Sequence, residues 1–199
     1  MNKFVVIQYI HNALVMNIPI TIIITVIILV IFFIGFVPSC CVVLFILNEK
    51  YSREDVCKLL NWPKSINPQN IGGYIIQGYN CPIFVTYHKS ENISSTINYE
   101  DRFVDRSKIS WMTKNGRKLN SKEVGKLISP DLNRYLFVMK SDNEDRTFYY
   151  LGKIYPVVEE MNEVMMPNSN KSVVNIPMKL KNPVEERLYQ YLITARIKQ

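Results

Sequence analysis

RYLFVMKSDNEDRTFYYLGKIY, residues 134–155, sets two aromatic and β-branched runs on either side of a short polar stretch. Residues 134–140 and 147–155 have strand composition, and Ser141-Asp142-Asn143-Glu144-Asp145 between them has the polarity of a turn. The segment reads as a β-hairpin and points to a sheet-based domain. Tyr149 and Tyr150 are consecutive in a strand, so they face opposite sides of it and at most one lines any given surface.

Working outward, the same signals recur at shorter range. Residues 74–79 and 82–87 form a second pair of β runs, with Gly78 and Asn80 in the bend between them. Residues 109–113 read as a strand turning at Asn115-Gly116, a dipeptide that tolerates positive φ. Residues 172–180 alternate well enough for a last strand, and the polar, proline-containing stretch 161–171 before them reads as a surface loop. Three helices frame these strands. One spans 52–60, with Ser52 as N-cap and Asp55 standing where a capping box has Glu, and ends before Asn61-Trp62-Pro63. A second spans 121–128 and opens at Ser121. The third spans 184–197, capped by Asn182 with Pro183 in its first turn and Glu185 and Glu186 favoured by the helix dipole. Together these predict an α+β fold of about five or six mainly antiparallel, hairpin-linked strands with small flanking helices.

The 199 residues divide sharply in composition. Lys3 is the only charged side chain before Glu49, so the remainder carries 23 basic and 17 acidic residues, a net of +6. Residues 1–48 form an apolar segment, and 18–36 run almost unbroken in Ile, Val, Phe and Leu. A helix needs roughly 20 such residues to cross a bilayer core of about 30 Å. The stretch reads as a candidate transmembrane helix. Lys50, Arg53, Lys58 and Lys64 follow it, against Lys3 alone before it, which places residues 49–199 in the cytoplasm of a membrane-anchored chain. The other reading of the stretch is translated upstream sequence joined to a truncated frame. Residues 49–199 are long enough for a core, since chains of roughly 150 residues bury about 70% of their unfolded surface.

Cys40, Cys41, Cys57 and Cys81 have no metal-ligand spacing, and no disulfide framework, metal or cofactor is expected. Catalytic patterns are also missing: His11 lies in the apolar region and His88 stands alone. No metalloprotease helix, phosphate-cradling glycine loop or nucleophile elbow occurs, and Tyr87-His88-Lys89-Ser90 lacks phosphodiesterase spacing. Binding has more support. A basic balance suits an acidic partner, phosphates take Lys and Arg, and bases stack on aromatic rings. Cations and aromatics come together at Tyr87, His88, Lys89 and Ser90, at Trp111 with Lys114 and Arg117, and at Lys140 near Phe137. These eight are the candidate DNA-binding residues. Against this, Phe84, Phe137, Phe148 and Tyr150 read as core.

Five strings carry a resemblance: YSREDVCKLLNW (51–62), CPIFVTYHKS (81–90), YEDRF (99–103), LFVMKSDNEDRTFYYLG (136–152) and NPVEERLYQYL (182–192). In this order they resemble the C-terminal domain, long of unknown function, of bacterial proteins combining a phospholipase D-like nuclease with a superfamily 2 helicase. Type IV, modification-dependent restriction enzymes of the SauUSI kind are of this build. The resemblance covers residues 49–199 and implies an SRA/PUA-like curved sheet. It also implies a non-catalytic target-recognition module that detects 5-methylcytosine or 5-hydroxymethylcytosine in duplex DNA, taking the base out of the stack. Nuclease and helicase are absent here, and the apolar segment stands in their place. That leaves a detached reader, a subunit serving a nuclease or helicase in trans, a membrane-anchored protein-interaction module, or a non-functional remnant of a nuclease-helicase gene.

Overall fold

The computed structural model describes residues 45–88, 101–142, 145–166 and 171–194. The candidate membrane segment 18–36 lies outside them, as do Lys89, Ser90, Cys40 and Cys41. Among the described residues no helix is long and apolar enough to cross a membrane.

Chain order begins with β1 (Lys50–Tyr51) and α1 (Arg53–Leu59). Ser52 caps α1 as its sequence predicts: its Oγ accepts from the Asp55 amide at 3.1 Å, and the Asp55 carboxylate accepts from the Ser52 amide at 3.0 Å. Asn61 at φ 52° takes the chain out of the helix, and Val56 and Cys57 point into the core. Next come β2 (Asn80–His88), β3 (Arg102–Asp105), β4 (Lys108–Met112), α2 (Lys122–Ile128) and β5 (Asn133–Ser141). β6 (Phe148–Pro156), β7 (Asn162–Met165), β8 (Ser172–Leu180) and α3 (Glu186–Ile193) complete the fold.

The strands form one eight-stranded sheet in the order β2-β5-β6-β8-β4-β3, with β1 paired to β6 and β7 to β8. The hairpin from which the sequence reading began is present, with Arg134 opposite Ile154 and Phe137 opposite Tyr150. The sheet is mainly antiparallel, as the sequence predicts, except that β2 and β5 run parallel from Asn80↔Asn133 to His88↔Ser141, and the chain crosses over through β3, β4 and α2 to join them. Four expectations are corrected. The described strands number eight rather than five or six. Residues 74–79 make only single bridges back to β2, at Tyr74↔Ile83 and Gln77↔Asn80. The stretch 161–171 contains β7, a strand of polar composition that one side of β8 recruits. α3 also starts later than expected: Glu185 is its cap, accepting from the amides of Arg187 and Leu188 at 3.1 Å each.

Parallel strands are stable when both faces are covered, and β2 and β5 meet that condition. Ile83, Val85, Leu136 and Val138 face one core, which α2 and α3 close with Val124, Leu127, Leu188 and Leu192. Phe84, Phe137 and Met139 face the other, which α1 closes with Val56 and Leu60. Curvature comes partly from a register shift between Leu136 and Phe137, opposite which Gly152 of β6 sits at φ 106°. The sheet bends far enough for Phe103 of β3 to stack on Tyr87 of β2, ring centroids 5.6 Å apart. The two ends of the strand order thus meet through their side chains, and the sheet is a half-barrel with few helices.

Candidate functional site

α2 carries two lysines four residues apart, Lys122 and Lys126, on the face opposite its buried Val124 and Leu127. Its C-terminal end is held by Arg134 of β5, which is 2% exposed. That guanidinium donates to the carbonyls of Leu127 at 2.5 Å, Ser129 at 2.5 Å and Leu132 at 3.0 Å. The lysine-bearing face is thereby fixed against the sheet.

Facing it is Tyr74, whose ring meets Trp111 edge-on at 5.0 Å. The Tyr74 hydroxyl donates to Glu123 Oε1 at 2.5 Å and accepts from the Lys114 amide at 3.4 Å. The other Glu123 oxygen accepts from Arg117, Nε at 2.7 Å and Nη2 at 2.6 Å. Lys114 Nζ lies 4.5 Å from the centroid of the Tyr74 ring. Around these groups opens a cleft of about 430 Å³, lined by Tyr74, Ile75, Ile76, Lys114, Lys122, Glu123 and Lys126, within the size range of ligand pockets.

The electrostatics follow from the hydrogen bonds. Partial burial pushes the Glu123 carboxyl up, but its bonds from Tyr74 and Arg117 outweigh that and hold it below the ordinary range. Burial, and then the bond to Glu123, push the Tyr74 phenol far up, so it stays a neutral donor. Glu123 is occupied with Arg117 and Tyr74. Among the described residues no carboxylate makes an ion pair with Lys114, Lys122 or Lys126. The cleft is therefore a cationic rim over an aliphatic wall, suited to an anionic ligand.

The eight residues expected from the sequence do not share one place. Lys114 and Arg117 stand at this cleft. Trp111 is 2% exposed and faces the core from β4, where Ile109 and Trp111 alternate inward. It presents no open face to a base, which removes it from a stacking role in this structure. Tyr87 is half-buried against Phe103. His88 places Nε2 3.0 Å from the Leu192 carbonyl at the end of α3. Lys140 is 9% exposed, its ammonium 4.4 Å from the Tyr191 ring centroid. Tyr87, His88 and Lys140 thus lie at the far end of β2 and β5 from α2, packed around α3. Lys89 and Ser90 lie outside the described residues.

Sequence reasoning missed Tyr74, Lys122, Glu123 and Lys126. The lysine pair had a signal, a four-residue spacing inside a helix whose limits were legible. Tyr74 had none, because its partners lie 40 and 49 residues away. Cys57 and Cys81 are free and buried. Among the described residues no group of three or more His, Cys, Asp or Glu side chains is placed to hold a metal.

Among solved structures, the chain is similar to the SRA domain of SUVH5 in complex with hemi-methylated CG DNA, at 14% identity and a TM-score of 0.46, over 75% of this chain and 94% of that one. It is similar to Arabidopsis thaliana SUVH6 in complex with SAM, at 9% identity and a TM-score of 0.44, over 71% of this chain and 27% of that one. It is also similar to the DNA modification-dependent restriction endonuclease AspBHI, at 11% identity and a TM-score of 0.40, over 72% and 79% respectively. Likenesses this distant do not carry over what those proteins bind. No curated protein matches the sequence. Residues 45–192 match the family described as Domain of unknown function (DUF3427), and the chain belongs to that family.

Proposed function

We propose that this chain is a non-catalytic DNA-binding module that lays the lysine-lined cleft against the phosphate backbone. The observation that carries the reading is the set of three lysines, Lys114, Lys122 and Lys126, around one cleft without a described carboxylate partner. The net charge of +6 beyond residue 48 supports it. Recognition of 5-methyl- or 5-hydroxymethylcytosine, as a detached target-recognition domain of a restriction system serving a nuclease or helicase in trans, rests on the resemblance of the five strings. The rings near the cleft do not add to it, because Trp111 and Tyr74 are both buried.

The test is fluorescence anisotropy of the full chain in detergent with plain, methylated and hydroxymethylated duplexes of one sequence, at two salt concentrations. Binding that weakens steeply with salt is expected, since each neutralised phosphate releases condensed counterions, together with a preference for a modified duplex. Equal affinity for all three duplexes would remove base reading and leave backbone binding. No affinity for any duplex would remove the DNA reading.

A second reading rests on the apolar stretch 18–36: a cytoplasmic domain anchored in a bacterial cell membrane that docks another protein. Membrane association resistant to carbonate, together with indifference to DNA, would favour it.

A further inference from the structure

Tyr79 is the most exposed large apolar side chain among the described residues, at 72%. It stands at the tip of a two-residue turn, Gly78-Tyr79, just before β2. The flanking residues bond reciprocally, the Gln77 amide to the Asn80 carbonyl at 3.0 Å and the Asn80 amide to the Gln77 carbonyl at 3.1 Å. Gly78, at φ 56°, supplies the positive dihedral that such a turn needs at its first position. The second position has no such demand and commonly carries a small polar residue. Nothing in the turn's own geometry calls for an aromatic ring there.

The backbone beneath the ring is anchored. The Tyr79 carbonyl accepts from the Asn133 amide at 2.8 Å and from Asn133 Nδ2 at 3.3 Å. Asn133 Oδ1 in turn accepts from Lys153 Nζ at 2.7 Å, and Asn80 Oδ1 accepts from the Tyr135 hydroxyl at 3.1 Å. The Tyr79 side chain itself makes no hydrogen bond, ring contact or cation contact among the described residues. A fixed turn that holds out a flat ring loses little freedom when another ring stacks on it.

The position of this ring relates it to the lysine cleft. Ile76, three residues before Tyr79, lines the cleft with Lys122 and Lys126. Three residues of chain reach about 10 Å at most. From the other side, the chain leaving α2 leads to Asn133, directly beneath the turn. Tyr79 therefore stands just outside the cleft, near enough for one nucleic-acid strand to meet both.

Within a duplex each base face is covered by its neighbours, so an external ring stacks on a base that has left its stack. Such a base offers a π-face whatever its identity, and nearby cations take its phosphates. We propose that Tyr79 is a stacking platform for an unpaired base of a DNA strand whose phosphates run along Lys122 and Lys126. The phosphate half of this rests on the DNA reading above, and the stacking half rests on Tyr79 and its turn.

The experiment compares two labelled oligomers of equal length and charge, one of thymidine and one abasic, by fluorescence anisotropy with the full chain in detergent. The thymidine oligomer is expected to bind about fivefold more tightly or better, the order of one stacked base. Tyr79→Ala is expected to abolish that preference and to keep the wild-type affinity for the abasic oligomer, which reports a folded cleft. Tyr79→Phe is expected to retain the preference. Joint replacement of Lys122 and Lys126 by alanine should weaken both oligomers alike. Equal wild-type affinities for the two oligomers, or a preference that survives Tyr79→Ala or is lost in Tyr79→Phe, would overturn the platform.

A duplex closed by loops at both ends through abasic linkers offers no unpaired base, and Tyr79→Ala is expected to leave its affinity unchanged. Weaker binding of that duplex by Tyr79→Ala would overturn the restriction to unpaired bases. Preference for thymidine without any duplex binding would sink the duplex reading and leave the platform standing. Duplex binding with equal affinities for the two oligomers would do the reverse.

Discussion

Arg134 supplies three donors to three carbonyls while almost fully buried. Arg134→Met would strand those carbonyls and is expected to lower stability by about 3 kcal/mol in urea denaturation, as removal of one member of a buried charged network does. Arg134→Lys should recover little, since one ammonium cannot reproduce the fork. Glu123 gives a prediction in pH. Its carboxyl is held below the ordinary value of 4.5, so its stabilising contribution is present above that value and fades as pH falls through the lower native one. Glu123→Gln should therefore melt lower at neutral pH and show a shallower loss of Tm on the acid limb. Equal acid limbs in the two proteins would count against the Tyr74–Glu123–Arg117 arrangement. At this scale the sequence was readable where one residue type met one local pattern. Trp111 is instructive, because alternation with Ile109 already marked it as inward-facing, and its aromatic chemistry drew attention away from that.

Elements set by neighbouring residues were legible, and those set by distant partners were not. The Ser52 cap, α2 and the β5–β6 hairpin each depend on residues close in sequence. The parallel pairing of β2 with β5 joins Cys81 to Arg134, and nothing local encodes it beyond the continuous burial of both strands. β7 is polar and borrows its conformation from β8. The lysine cleft was half legible for the same reason, since Lys114 and Arg117 follow one strand whereas Tyr74 arrives from another part of the chain. Two tests belong to this scale. Gly152 at φ 106° has Leu47 Cδ2 3.2 Å from where a Cβ would sit. Gly152→Ala should cost about 1–2 kcal/mol in chemical denaturation through its left-handed backbone, with the tight contact adding to that. Replacing Lys122 and Lys126 of α2 by alanine should reduce the salt slope of duplex binding by about 2, close to one per phosphate contact. An unchanged slope would place the DNA elsewhere.

Across the whole molecule, β2, β5 and β6 contribute to both cores, so neither core survives the loss of the other. Residues 45–194 are expected to unfold in one step, with tryptophan fluorescence, to which Trp111 of one core and Trp62 at the other both contribute, and far-ultraviolet circular dichroism giving coincident urea curves. Separated midpoints would mean that the two sheet faces melt independently. β8 adds a different consequence. It lies between β6 and β4, yet among the described strands it is the last to be synthesised. Until Leu180 leaves the ribosome, β3 and β4 have no strand linking them to β2, β5 and β6. The nascent chain must wait with two sheet edges open, and unpaired edges of that kind recruit other chains. A translational pause before the codons of β8 would prolong this interval, making the timing of residues 172–180 a determinant of how much soluble protein a cell recovers.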